Sequence, residues 1–268
     1  MEVQKPSRFY MLDTLRGVMI IGVVLFHFAF DLYFVGIPWA ETLINASIFE
    51  FIANIGRFLF LFIAGICCFL SRNNLKRSLL VFAGAGIVSI ATLLLDVFFG
   101  EIGDMLIYFG ILHLMGVCML IYALSELIFK KKPNTPSSRT SRTVCLAISL
   151  LLLFFFFALF NLGNGSIGIF GMKAEVHSKL YGTLGGAILG FPGFEPASAD
   201  YFPLIPWAFA FFAGASLGVY FKEDRVPSFL HRDICPLITK IGQKTLYIYI
   251  LHQPLIYGIA ALIGYIAA

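Results

Sequence analysis

Residues 12–34 read LDTLRGVMIIGVVLFHFAFDLYF, and the rest of the chain is best read outward from this stretch. At ~1.5 Å per residue a helix of this length crosses the ~30 Å hydrocarbon core of a bilayer. Yet it carries Arg16 at its entrance and His27 and Asp31 deep inside. Ionisable groups are costly in lipid, and where they occur they line a pathway or a reaction site. His27 lies roughly 16 Å along the helix from Arg16, near the bilayer midplane or just beyond it. His27 and Asp31 stand at i and i+4, so they share a helix face. The carboxylate is expected to orient and polarise the ring, the arrangement of a positioned base. The segment points to chemistry inside a membrane.

Composition extends that reading to the whole chain. Its 268 residues are 59% hydrophobic, 16% aromatic and 13% charged, with a mean hydropathy of +0.90. Soluble domains are about 45–50% apolar and about 25% charged. Runs such as LLLLFFFFALF at 150–160 leave no soluble alternative. The expectation is an all-α polytopic membrane protein forming one integral domain over 1–268. At about twenty apolar residues per crossing, spans are expected at 12–35, 48–71, 77–99, 105–129, 143–162, 201–221 and 244–267. The Gly-rich, polar stretch 163–200 adds room for a short half-inserted helix near 180–191. Residues 130–142 form a basic, Pro-containing linker between spans.

Of the 19 Lys and Arg residues, sixteen fall at one face when the spans are threaded in order. Lys173 and Lys179 occupy the other, and Arg57 lies within a span. The positive-inside rule makes the richer side cytoplasmic. The N-terminus is therefore expected inside and the C-terminus outside, with 130–142 cytoplasmic, in the cell membrane. The first apolar run lacks a small-residue cleavage site and reads as a retained helix. Basic residues scattered over loops at one face do not suit nucleic acid, and no nucleic-acid partner is expected. The five cysteines have no metal-ligand spacing and lie in no outer loop, so neither disulfide nor metal is expected.

Other polar residues in the spans are candidates for a site. His113 lies in YFGILHLMGV and His252 in YIYILHQP, both toward the middle of the bilayer. The three imidazoles could converge on one cavity or serve separately as interhelical hydrogen-bonding groups. Three histidines from separate helices without a motif argue against a metal. Arg57 is the basic residue deepest in a span and calls for a carboxylate or a bound anion. Asp31, Asp96 and Glu50 are its candidate partners, and a structural ion pair is the alternative. Asp200 opens the sixth span near its N-cap position, ahead of Pro203 and Pro206. Pro254 frees a carbonyl beside His252 and Gln253, and the three together could line a cavity.

The ordered blocks LDTLRG…H…FD, FLFLFIAGI, FGILHLMGV, DYFPLIPW and LYIYILHQP run from residue 12 to residue 254. In that order they resemble the bacterial relatives of heparan-α-glucosaminide N-acetyltransferase, within the broader transmembrane acyltransferases. The ten residues between Arg16 and His27 are similar to the Arg-x10-His signature of the acyltransferase-3 family. The resemblance implies an acyl-CoA donor, acetyl-CoA in the first instance, arriving from the cytoplasm. It implies a saccharide, lipid-linked or other hydroxyl or amine acceptor on the outer side. His27 matches the catalytic position and Arg16 the donor-side position. Lysosomal members are taken to use a histidine following the first helix. Here the loop 36–47, GIPWAETLINAS, contains none, and His27 occupies the helix itself.

The expected enzyme is an acyl-CoA-dependent O- or N-acetyltransferase. His27, held by Asp31, would act as base toward the acceptor or as transient acyl acceptor. Arg16, Arg57, His113, Asp200, His252 and Gln253 are the expected substrate-binding groups, some of them placed to stabilise an oxyanion. Membrane lipids surround the chain, and a homo-oligomer is allowed. A transporter or flippase for a polar lipid or small solute would use the same buried groups as a relay. The lack of internal repeats weighs against it. A binding or assembly partner with a degenerate site is the third reading, and retention of Arg16, His27 and Asp31 together weighs against that.

Overall fold

A computed structural model describes residues 8–99, 106–128, 139–169, 171–192 and 200–267. Within them, seven helices are long and apolar enough to cross a membrane, as the sequence led us to expect. The chain divides into two compact units, one of Met1–Phe60 with Val226–Ala268 and the other of Leu61–Arg225. One of the two boundaries, between Phe60 and Leu61, falls inside a helix.

The first unit is built on α1 (Tyr10–Phe34), which packs along α9 (Pro236–Gln243) and α10 (Thr245–Ala267). Two glycines allow α1 and α9 to touch through their backbones. A Cβ on Gly17 would run into the Ile238 carbonyl, and one on Gly242 into the Asp13 carbonyl. Beside that contact the buried hydroxyls of Thr14 and Thr239 meet at 2.8 Å, and Thr239 donates to Asp233 at 2.6 Å. The polar groups are thus satisfied where the helices close on each other. At the other end of α1, Leu32, Ala260 of α10 and Ala40 of the short helix α2 (Pro38–Ile44) form a buried cluster. The unit is completed by the first part of α3 (Ser47–Leu70). These contacts fix α1 and α10 side by side along the stretch that carries His27 and His252.

The second unit holds the rest of α3 with α4 (Asn74–Phe99), α5 (Ile111–Ile128), α6 (Arg139–Ala158), α7 (Leu184–Leu189) and α8 (Leu204–Lys222). Here α3 and α8 also approach backbone to backbone. A Cβ on Gly65 would meet the Phe211 carbonyl, and one on Gly214 the Phe62 carbonyl. Small residues at such contacts are the means by which helices associate in lipid, where burying apolar surface gains little. Apolar side chains on α4 and α6 face outward, with Val97 69% and Leu150 58% exposed. In water that surface would be a liability, whereas in lipid it is ordinary.

Three expectations need adjustment. The fourth span starts at Ile111 rather than 105, because residues ahead of it are tied to α4: Ser89 Oγ donates to the Ile107 carbonyl at 2.7 Å and Thr92 Oγ1 accepts from the Ile107 N–H at 3.3 Å. The sixth span is N-capped by Pro203, not by Asp200, and an extended Ile205 (φ −100°, ψ 126°) interrupts its start. Of the basic linker 130–142, residues 130–138 lie outside the described residues, and 139–142 form the first turn of α6. The stretch 163–200 contains the six-residue α7 and also a small antiparallel hairpin, β1 (Ser166–Ile169) with β2 (Met172–Glu175). Its six helical residues span only ~9 Å, and α7 lies within 180–191, where a short helix was expected.

Candidate active site

The first unit brings His27 of α1 and His252 of α10 together with ring centroids 5.2 Å apart and planes inclined at 58°. Asp31 lies one turn beyond His27, and its Oδ1 accepts a hydrogen bond from Gln253 Nε2 at 2.9 Å. Among the described residues no hydrogen bond joins Asp31 to His27. The i,i+4 spacing puts both on one face, but an amide from α10 takes the carboxylate. Phe26 meets the His27 ring edge-on, at 5.7 Å between centroids.

The tautomer of His252 follows from its partner. Its Nδ1 lies 2.6 Å from the Tyr249 carbonyl, which can only accept, so Nδ1 carries the proton. In the neutral ring Nε2 then holds a lone pair. Among the described residues that Nε2 has no hydrogen-bond partner, and neither have Asp31 Oδ2 and Gln253 Oε1. All three atoms are shielded from solvent, in side chains of which Asp31 is 3% and His252 7% exposed. A buried polar atom left unpaired costs on the order of 1–3 kcal/mol, so three in adjoining residues call for an explanation by function.

Arg57, in the part of α3 belonging to this unit, stands behind Phe26. Its guanidinium lies over that ring at 5.1 Å from the centroid and donates to Asn54 Oδ1 at 3.0 Å. The aromatic face supplies part of the stabilisation a half-buried cation needs, and Asp31, one of its expected partners, is engaged by Gln253 instead.

Arg16 sits toward the start of the same helix. Its Nη1 is 3.5 Å from Asp13 Oδ1, while Arg8 binds Asp13 Oδ2 through Nε at 3.0 Å and Nη2 at 2.8 Å. Two guanidiniums thus share one carboxylate, leaving a net positive charge at the entrance of α1. Asp13 was not singled out in the sequence, although its i,i+3 spacing from Arg16 carries the signal.

His113 and Asp200 belong to the second unit. The His113 Nδ1 accepts from the Gly110 N–H at 3.2 Å, so its Nε2 carries the proton and donates to Ser89 Oγ at 3.3 Å. Ser89 in turn donates to the Ile107 carbonyl. With Gly110 just ahead of α5 and His113 at its third position, this is the return half of a capping box. Both ring nitrogens are used in holding the helix start. Asp200 lies against Gly110, where a Cβ would collide with its carboxylate, and the Phe202 N–H donates to the Phe109 carbonyl at 3.2 Å. These two residues shape the junction between α5 and α8.

Among known proteins, the family model described as heparan-alpha-glucosaminide N-acetyltransferase, catalytic, matches residues 8–138 and 142–254. The match takes in every candidate site residue described in this section, in both units. No curated protein and no solved structure matches the chain.

Proposed function

The chain belongs to the heparan-alpha-glucosaminide N-acetyltransferase catalytic family, a family of acetyltransferases that use acetyl-CoA, and we propose that it moves an acetyl group from cytoplasmic acetyl-CoA to a hydroxyl or amine on the outer side of the cell membrane. The protein works as a single integral membrane domain, its N-terminus inside and its C-terminus outside. Arg16, at the cytoplasmic end of α1, meets the phosphates of the donor. The pantetheine arm follows α1 inward and brings the thioester to His27, which serves as base or as transient acyl acceptor. The positive charge of Arg57 near this ring favours the oxyanion that forms at the thioester carbonyl. A saccharide or lipid-linked sugar is the acceptor.

The observation that carries this reading is the packing of His27 on His252 beside unpaired acceptor atoms, at positions within the family match. Proteoliposomes with the cytoplasmic face outward give the test. Radiolabelled acetyl-CoA is added outside and glucosamine or glucose is enclosed. Labelled sugar appearing inside, dependent on the protein, is the expected result. Label that reaches sugar only when donor and acceptor share one compartment would rule out transfer across the membrane.

A further inference from the structure

The structure assigns the acceptor's proton to His252: we propose that His252 Nε2 is the general base, and that with Asp31 Oδ2 and Gln253 Oε1 it forms a subsite for an acceptor bearing several hydroxyl or amine donors. The proposal rests on the acetyl-transfer reading and adds to it which ring does what.

A general base needs a free lone pair and a partner that holds the ring. His252 has both, since its Nδ1–H is fixed on the Tyr249 carbonyl and its Nε2 is unpaired and sealed. His27 meets Phe26 and His252 through its ring, and among the described residues no hydrogen bond sets its tautomer. Of the two parts open to His27, the proton-taking one therefore passes to its neighbour. His27 keeps the acyl side.

The three unpaired atoms also have a common chemistry. A carboxylate oxygen, an amide carbonyl oxygen and an imidazole lone pair all accept and none donates. The Gln253 amide is turned so that its NH2 is spent on Asp31, which leaves its oxygen outward from that bond. A ligand satisfying all three must offer at least three donors close together. Neighbouring hydroxyls on a sugar, or hydroxyls beside an amine, meet that demand, while a simple alcohol or a single thiol does not. In the step itself, the acceptor oxygen or nitrogen bonds to the acetyl carbonyl carbon as its proton passes to His252 Nε2. The bond from that carbon to its leaving atom breaks, whether that atom is the CoA sulfur or a His27 nitrogen. The leaving atom takes the electron pair and then the proton from His252.

The test uses the purified full-length protein in lipid nanodiscs, with acetyl-CoA as donor and glucose, glucosamine and n-butanol as acceptor probes. Transfer is followed by label, and sugar binding by saturation-transfer NMR without donor. We expect both sugars to bind and n-butanol not to. His252→Gln should lower kcat at least 100-fold with the KM for acetyl-CoA unchanged, and His252→Gly should recover at least tenfold with added imidazole. Asp31→Asn and Gln253→Leu should raise the sugar KM at least tenfold while leaving the limb of the pH profile due to His252 in place. His252→Gln working within threefold of wild type, or n-butanol binding as well as the sugars, overturns the proposal. Wild type that binds sugars but transfers no acetyl group overturns the acetyltransferase reading and the base with it, and spares the subsite. Wild type that hydrolyses acetyl-CoA yet neither binds nor acetylates a sugar overturns the subsite alone.

Discussion

Gln253 donates to Asp31 across the contact between the first and last spanning helices, at 2.9 Å. That bond decides how the buried carboxylate is used. Replacing Gln253 with Ala leaves Asp31 without its donor, and removing one partner of a buried bond costs more than removing both. Gln253→Ala is expected to destabilise the protein by ~1–3 kcal/mol. The double variant with Asp31→Ala should fall short of the sum of the singles by about 1 kcal/mol, read as a coupling in a thermal-unfolding cycle.

The glycine contacts make a second prediction. Gly242→Ala forces a methyl group into the Asp13 carbonyl, and overpacking of this kind costs ~1–3 kcal/mol. Gly86→Ala, where a Cβ meets nothing within 4 Å, should leave the unfolding temperature unchanged or slightly raised. Equal effects at the two sites would count against the close packing of α1 on α9.

His113 is expected to behave as a structural residue. His113→Ala removes the bond to the Gly110 N–H and the bond to Ser89, lowering stability by ~1–2 kcal/mol. Its kcat, measured well below the unfolding temperature, should stay within twofold of wild type. A loss of kcat without a loss of stability would return His113 to the chemistry.

Much of this architecture is legible in the sequence and some is not, for identifiable reasons. Apolar length reports each crossing because the bilayer imposes it, and Arg16, His27 and Asp31 are visible as costly groups on one helix. What spacing could not reveal was who answers them. Asp31 and His27 share a face, yet the competitor for the carboxylate, Gln253, arrives from a helix over two hundred residues away in sequence. Asp200 looked like a helix cap until the extended Ile205 moved the helix start past it. His113 and His252 look alike in the sequence, each an isolated imidazole in an apolar run. Only their partners separate them, a spent ring on α5 and a ring on α10 with one nitrogen unpaired.

Arg16 tests the donor side. Arg16→Gln should raise the KM for acetyl-CoA about tenfold, the loss of a charge-assisted contact worth ~1.5 kcal/mol. S-acetyl-pantetheine, which lacks the nucleotide phosphates, should be used equally well by variant and wild type. A matching loss with both donors would place Arg16 in the fold rather than at the phosphates.

The central claim is that acetyl transfer takes place at His27. The most direct measurement is the rate at which purified His27→Ala moves radiolabel from acetyl-CoA to a verified acceptor, beside wild type of equal stability. The account predicts a fall of at least 100-fold, within the range by which positioned acid–base or nucleophilic groups raise rates. Transfer as fast as wild type would contradict it.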